Sequence, residues 1–168
     1  MGYREQILAE FDHEMANTTT VLKRLPVEKW NWKPHPKSNS IGWNASHIAE
    51  IPGWIEGTLT GDSWDLWPVG GEKHSTKILK DPHQALELFE SNIAQAKAAI
   101  TEANDAQITQ EWSLLEQGKV LMTMPRHSAV RLFMLNHLYH HRAILCVYLR
   151  LNDIPVPGMY GPSGDEVC

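Results

Sequence analysis

Apolar residues recur at three- and four-residue steps in four stretches of the chain, and this period is the strongest constraint on its fold. Strands that alternate with helices, the pattern typical of a parallel sheet, are not visible. The sequence therefore predicts an all-α protein. In the last stretch, two histidines occupy positions where the pattern otherwise places apolar side chains. That stretch reads Val130, Met134, His137, His141, Ile144, Tyr148 and Leu151.

Capping residues and prolines mark where the four predicted helices begin and bend. Ser40 and Asp81 are residue types that cap helix N-termini, and Pro82 suits the first helical position. Pro52 lies inside the second helix, where it removes one backbone hydrogen bond and should bend the helix. The predicted helices cover about residues 3–25, 40–61, 82–102 and 125–151.

Two connections between these helices need a separate explanation. Residues 62–80 show no clear period, and a crossover of this length is acceptable if helices 2 and 3 lie parallel. Residues 103–124 contain two apolar segments around Gln117-Gly118. We expect a short β-hairpin there, before the fourth helix, although a plain loop is the alternative.

Length and charge restrict the function classes. The chain has 168 residues and a formal net charge of −5, which favours one domain over residues 1–168 and argues against a nucleic-acid partner. No apolar run approaches the roughly 20 residues needed to cross a membrane, and the N-terminus lacks a signal-peptide pattern. We therefore expect a cytoplasmic protein without a membrane partner. Cys146 and Cys168 are too few for a disulfide framework or a thiolate zinc site, and Cys146 is expected to pack.

The histidine pair on the fourth helix carries the clearest chemical signal. His137 and His141 are four residues apart, so their side chains leave the helix in nearly the same direction and can meet at one ion. His140 points elsewhere and should not join both. A third ligand must come from another helix, and His47 in the second helix is the best candidate.

Each of these residues also has an alternative interpretation. Histidine pairs at this spacing occur on helix surfaces, and His47 taken alone is typical of a hydrogen-bonded core histidine. His140 is expected to be an outer neighbour of the site or a surface residue. Glu14 and Glu50 are either neighbours of the ligands or a carboxylate ligand. The seven tryptophans are expected to pack the core and crossover. The remaining histidines, expected at the surface, are His13, His35, His74, His83 and His127.

Three neutral imidazoles without a fourth protein ligand describe an open metal site. Water or substrate completes the coordination in such a site, whereas closed structural sites recruit four protein ligands. Nitrogen ligands suit zinc or nickel, and iron or copper somewhat less well. The residues alone therefore predict a divalent metal, zinc or nickel first.

Two segments of the sequence resemble one family. The run Asn136–Arg142 (NHLYHHR) and the later run Pro155–Ser163 (PVPGMYGPS) are similar to the C-terminal part of the DinB-like family, within the DinB/YfiT superfamily. The earlier segment Trp32–Glu50, which includes WKPHPKS and SHIAE, is similar to the middle of that family. The order of one histidine, a gap of about ninety residues, and then His-x3-His is specific as a combination.

The resemblance implies a fold and a set of ligands. It implies a four-helix bundle in up-down-down-up order with a long crossover between helices 2 and 3, and frequent homodimers. It also implies a divalent metal held by His47, His137 and His141. At the position of His140 relatives often have another residue, so no role carries over to it. Arg142 matches the family pattern without an assigned role.

The resemblance also suggests a reaction. Better understood relatives are bacillithiol S-transferases and the mycothiol-dependent maleylpyruvate isomerase, where the metal activates a low-molecular-weight thiol. The leading hypothesis is therefore a metal-dependent thiol S-transferase that uses a small-molecule substrate and a thiol cosubstrate, with metal-dependent hydrolysis as a weaker variant. The alternative is a non-catalytic, metal-binding stress-response protein with a structural metal. The sequence assigns no catalytic residue beyond the proposed ligands.

Overall fold

The computed structural model describes residues 2–166, apart from the side chain of Tyr3, and shows a mostly helical chain with a small sheet. Cys168, noted above for its thiol, lies outside the described residues. The α-helices are α1 (Tyr3–Leu22), α2 (Ile41–Glu50), α3 (Trp54–Thr60), α4 (Pro82–Glu102), α5 (Asp105–Ile108), α6 (Arg126–Ser128) and α7 (Asn136–Leu151). The strands are β1 (Ser63–Asp65), β2 (Glu111–Glu116) and β3 (Lys119–Pro125).

The long helices enclose one apolar core. Helix α2 packs against α4 and α7, and α1 packs against the same two helices. Fully buried side chains from all four meet between them, as the three- and four-residue period requires. Examples are Phe11 on α1, Ile48 on α2, Phe89 on α4, and Leu138 and Leu145 on α7.

The predicted helix starts and the bend at Pro52 are confirmed. The Ser40 hydroxyl accepts a hydrogen bond from the Trp43 amide, and the Asp81 carboxylate accepts one from the Gln84 amide. Pro52 lies in a single 3-10 turn, Ile51–Gly53, that separates α2 from α3. The second predicted helix is therefore two shorter helices, because the proline has no amide hydrogen to continue the α-helical bonding.

The hairpin before the last helix is also confirmed. Strands β2 and β3 pair antiparallel, and the residues between them are Gln117 and Gly118. Both have positive φ, 53° and 70°, as the tight two-residue turn of a hairpin requires. The sequence did not predict β1, which pairs parallel with β2 and makes a third strand. Its three residues are too few to show a period.

The fourth helix differs from the continuous α-helix predicted over residues 125–151. The segment Ala129–Leu135 is π-helical, and regular α-helix resumes at Asn136. A π-helical turn holds more residues than an α-helical turn, so it changes which side chains face inward. Simple 3.6-residue periodicity cannot detect such a change. The irregular segment ends two residues before His137.

The crossover is fixed to α2 by hydrogen bonds rather than being a free loop. The Leu79 amide donates to the Ser46 hydroxyl at 2.9 Å, and the Trp30 indole donates to the Leu79 carbonyl at 2.8 Å. These bonds bring residues 74–79 alongside the helix that carries His47. Among the described residues, no helix is long and apolar enough to cross a membrane.

Candidate metal centre

The structure brings His47, His137 and His141 together. One ring nitrogen from each lies within 4.8 Å of the others, and the Nε2 atoms of His47 and His137 are 3.2 Å apart. His47 comes from α2, and the other two come from α7. His47 and His141 are buried, while His137 is half-buried.

Close packing of α2 sets the position of His47. Gly42 lies against the ring of Trp30, and a Cβ at this position would come within 2.6 Å of the indole nitrogen. The Gly42 amide also donates to the Trp30 carbonyl at 2.7 Å. A side chain here would push α2 away from this contact. Asn44 and His47, three residues apart, share the face of α2 that meets α7.

Asn44 determines which nitrogen of His141 carries its proton. The Asn44 side-chain amide nitrogen donates to the Ser40 carbonyl at 2.8 Å, so its oxygen faces His141. That oxygen lies 2.9 Å from Nδ1 of His141 and can only accept a hydrogen bond. Nδ1 therefore carries the proton, and Nε2 of His141 keeps a free lone pair.

Thr76 has the same effect on His47, from the crossover. Its hydroxyl lies 2.6 Å from Nδ1 of His47 and donates to the Glu50 carboxylate at 3.3 Å. Because the hydroxyl proton is used on Glu50, the hydroxyl oxygen accepts from Nδ1–H of His47. The Lys77 amide also donates to Glu50, at 3.3 Å. Nε2 of His47, which faces His137, therefore carries a lone pair.

This donor set fits a divalent ion. A tetrahedral ion with metal–nitrogen bonds of about 2.0–2.1 Å separates its ligand nitrogens by about 3.3 Å. The His47–His137 separation of 3.2 Å is close to that value. Metal-binding imidazoles commonly donate their other N–H to a polar oxygen, as His47 and His141 do here. The three rings can therefore hold a metal ion.

Burial keeps two of these rings neutral. Burial, together with the nearby His47 ring, lowers the pKa of His137 from 6.5 to about 4. The same causes lower the pKa of His141 to about 3. Both rings are therefore uncharged at neutral pH, which is the form that binds metal ions.

Aromatic side chains surround the histidines, whereas the sequence predicted that the tryptophans only pack the core and crossover. Trp43 stacks on His47 with ring centroids 4.8 Å apart. Trp54 lies 5.5 Å from His47 and 5.8 Å from His137, and Phe133 lies 6.1 Å from His137. Spacing could have placed Trp43 and Trp54 near His47, since they lie four residues before it and seven after it.

The two glutamates named from the sequence lie in different places. Glu50 is part of the His47 network described above. Glu14 is buried and forms an ion pair with Arg142 at 2.7 Å, and it also accepts from the Tyr160 hydroxyl at 2.9 Å. Glu14 is therefore not part of the histidine cluster, and Arg142 is a buried partner of Glu14.

The other histidines lie outside the cluster. His140 is exposed, as are His13, His35, His74 and His83. His127 is half-buried and hydrogen-bonds the Ile108 carbonyl at 3.1 Å, so the prediction of a surface position was wrong for this residue. It follows the hairpin, where no helical period shows which side chains face inward. Cys146 packs beside the core, as predicted.

Comparisons with known proteins agree with this fold. The sequence model of the DinB superfamily matches residues 10–145. A DinB-like protein from Bacillus cereus has a similar structure, with a TM-score of 0.71 and 23% identity, over 93% of this chain and 97% of that chain. A DinB-like protein from Bacillus subtilis has a TM-score of 0.65 and 16% identity, over 89% of this chain and 95% of that chain.

The mycothiol-dependent maleylpyruvate isomerase is also similar in structure. Its TM-score is 0.56 at 12% identity, and the match covers 92% of this chain and 65% of that chain. At identities this low, the structural similarity to these three proteins is evidence for the fold alone. No curated protein matches the chain by sequence.

Proposed function

We propose, from the premise that this chain belongs to the DinB superfamily, that it is a divalent-metal-dependent enzyme that transfers a thiol to a small electrophilic molecule. The metal ligands in this proposal are His47, His137 and His141. The observation that carries it is the convergence of three ring nitrogens within 4.8 Å, with two of the Nδ1 protons held by neighbouring oxygens. The mycothiol-dependent neighbour supports a thiol cosubstrate.

A bound zinc or nickel ion would lower the pKa of a thiol, or of water, at its free position. The chain supplies the remaining conditions. Asn44 and Thr76 hold the Nδ1 protons of His141 and His47, so that lone pairs face the centre. Glu50 accepts the Thr76 hydroxyl proton and places a negative charge behind His47. The aromatic rings exclude bulk water from one side of the site.

Several finer features belong to the same proposal. We expect α1, α2 with α3, α4 and the last helix to form a four-helix bundle in up-down-down-up order. We expect residues 1–168 to act as one domain and the protein to form a homodimer, which light scattering would test. Zinc and nickel remain the preferred ions, because three imidazoles suit both.

The proposal is tested by metal analysis followed by a conjugation assay. Purified protein should contain about one zinc or nickel ion per chain by elemental analysis. The loaded protein should accelerate the addition of small thiols to electrophiles, and the chelated protein should not. A loaded protein that accelerates no thiol addition, across a panel of thiols and electrophiles, would refute the enzymatic proposal.

The structural-metal alternative makes the opposite prediction on metal removal. Helices α2 and α7 already meet through buried apolar side chains such as Ile48 and Leu138, so we expect the fold not to depend on the ion to join them. We expect the chelated protein to keep its circular dichroism spectrum. Unfolding on chelation would favour the non-catalytic alternative.

A further inference from the structure

A cavity of about 210 Å³ lies between α3 and β1. We call it the indole cavity, since two tryptophans contribute to its walls. None of its lining side chains carries a charge. It is lined by Trp54, Gly57, Thr58, Ser63 and Trp64.

Trp54 connects the indole cavity to the candidate metal centre. Its ring lies 5.5 Å from His47 and 5.8 Å from His137, and it also lies 5.2 Å from the ring of Trp64. A molecule that packs against Trp54 in the cavity therefore shares that side chain with the candidate metal centre.

The walls of the cavity indicate what it can hold. Flat indole faces favour a planar ring by stacking or edge contact. Neither indole N–H of Trp54 and Trp64 has a hydrogen-bond acceptor within residues 2–166, so each is available as a donor. The volume is below the roughly 300–1,000 Å³ typical of drug-sized ligands, which suits a single ring. A charged occupant would find no counter-ion among the lining residues.

We infer that the indole cavity binds the electrophile, and that this electrophile is a neutral, single-ring, conjugated carbonyl compound. The inference rests on the function proposed above. The reaction is an addition of the thiol across the conjugated C=C bond. The sulfur–carbon bond forms, the π electron pair moves toward the carbonyl oxygen, and the thiol proton ends on the adduct. No leaving group or redox partner is required.

Filling the cavity without disturbing the fold gives a direct test. A Cβ on Gly57 would have no heavy atom within 4 Å, and leucine favours a helix more than glycine does. Gly57→Leu should therefore fold normally while it occupies the cavity. Trp67→Leu is the matched control, since Trp67 is an exposed crossover tryptophan outside the cavity.

Acetophenone, a planar aromatic ketone that thiols do not attack, serves as the probe for the metal-free protein. Its binding is followed through the indole N–H signals of ¹⁵N-labelled protein, which Trp54→Phe and Trp64→Phe assign. We expect the Trp54 and Trp64 signals to shift, with affinity at least tenfold weaker in Gly57→Leu and unchanged in Trp67→Leu. Cyclohexyl methyl ketone, the saturated analogue, should bind at least tenfold more weakly than acetophenone.

The inference is overturned if acetophenone leaves both indole signals unmoved, if Gly57→Leu binds it as tightly as the parent, or if the saturated ketone binds equally well. This measurement requires neither metal nor thiol. A loss of the proposed enzymatic function would appear only in the conjugation assay, so the two failures are distinguishable.

Discussion

Replacing Thr76 by valine tests whether the crossover helps to build the metal centre. Valine keeps the shape of threonine but removes the hydroxyl that lies between Nδ1 of His47 and the Glu50 carboxylate. Nδ1–H of His47 would then lack an acceptor, because the Glu50 oxygen is 3.7 Å away and a contact longer than about 3.5 Å is no longer a hydrogen bond. The His47 ring would lose the contact that fixes its proton and its orientation.

The expected magnitude follows from that lost hydrogen bond. A net hydrogen bond contributes about 0.5–1.5 kcal/mol, and removing an outer partner of a metal-bound histidine costs about 10–100-fold in affinity. Since Thr76 is half-buried, we expect Thr76→Val to weaken Zn²⁺ binding about tenfold, which is about 1.4 kcal/mol.

Competition with a chromophoric chelator measures this difference. Thr76→Ser keeps the hydroxyl, so this variant should bind Zn²⁺ within about twofold of the parent. A twofold change in affinity corresponds to only about 0.4 kcal/mol. Ser75→Ala, an exposed neighbour, controls for general disturbance of the crossover. Equal Zn²⁺ affinity in Thr76→Val and the parent would refute the role of Thr76, and so would an equal loss in Ser75→Ala.

Three further predictions concern the ligands, pH and the buried ion pair. His137→Ala or His141→Ala should each abolish stoichiometric zinc with little change in helix content, whereas His140→Ala should retain it, as elemental analysis and circular dichroism would show. The folded pKa values of His137 and His141 are below 6.5, so their contribution to stability is present above pH 6.5 and is lost as pH falls toward about 3–4. The free energy of unfolding of the metal-free protein, measured with urea, should therefore fall over this pH range. The decrease should be smaller in His141→Phe. Arg142→Met leaves Glu14 buried without its ion-pair partner and should lower the free energy of unfolding, measured with urea, by about 3–5 kcal/mol. Adding Glu14→Leu should recover much of this loss.

Apolar periodicity and capping residues were enough to predict the main helices. Ser40, Pro52 and Asp81 act locally, through hydrogen bonds within a few residues of their own position, so the sequence alone indicates their effect. The hairpin was predicted for the same reason, since Gln117-Gly118 is a local turn. The proximity of His137 and His141 also follows from helical spacing.

The contacts that orient the histidines could not be predicted, because they join distant parts of the chain. Thr76 reaches His47 from a crossover that has no period, and Asn44 reaches His141 across 97 positions. The aromatic surroundings depend on how α3 and β1 pack after the turn at Pro52. Periodicity describes which face of an element is apolar, and it says nothing about which polar side chain meets a given ring nitrogen.

The three histidines are not held equally firmly, and their local structure explains why. Nδ1 of His47 and Nδ1 of His141 each have an oxygen partner, while Nδ1 of His137 has none within the described part of the chain. His137 is also the half-buried member of the three, and it follows the π-helical segment, where the backbone bonding changes register. We therefore expect the His137 ring to be the one that turns to fit a bound ion, while the other two hold their nitrogens in place. Zinc prefers a tetrahedral arrangement and nickel(II) a square-planar one, so one adjustable ring beside two fixed rings would help the site to accept either of the two proposed ions.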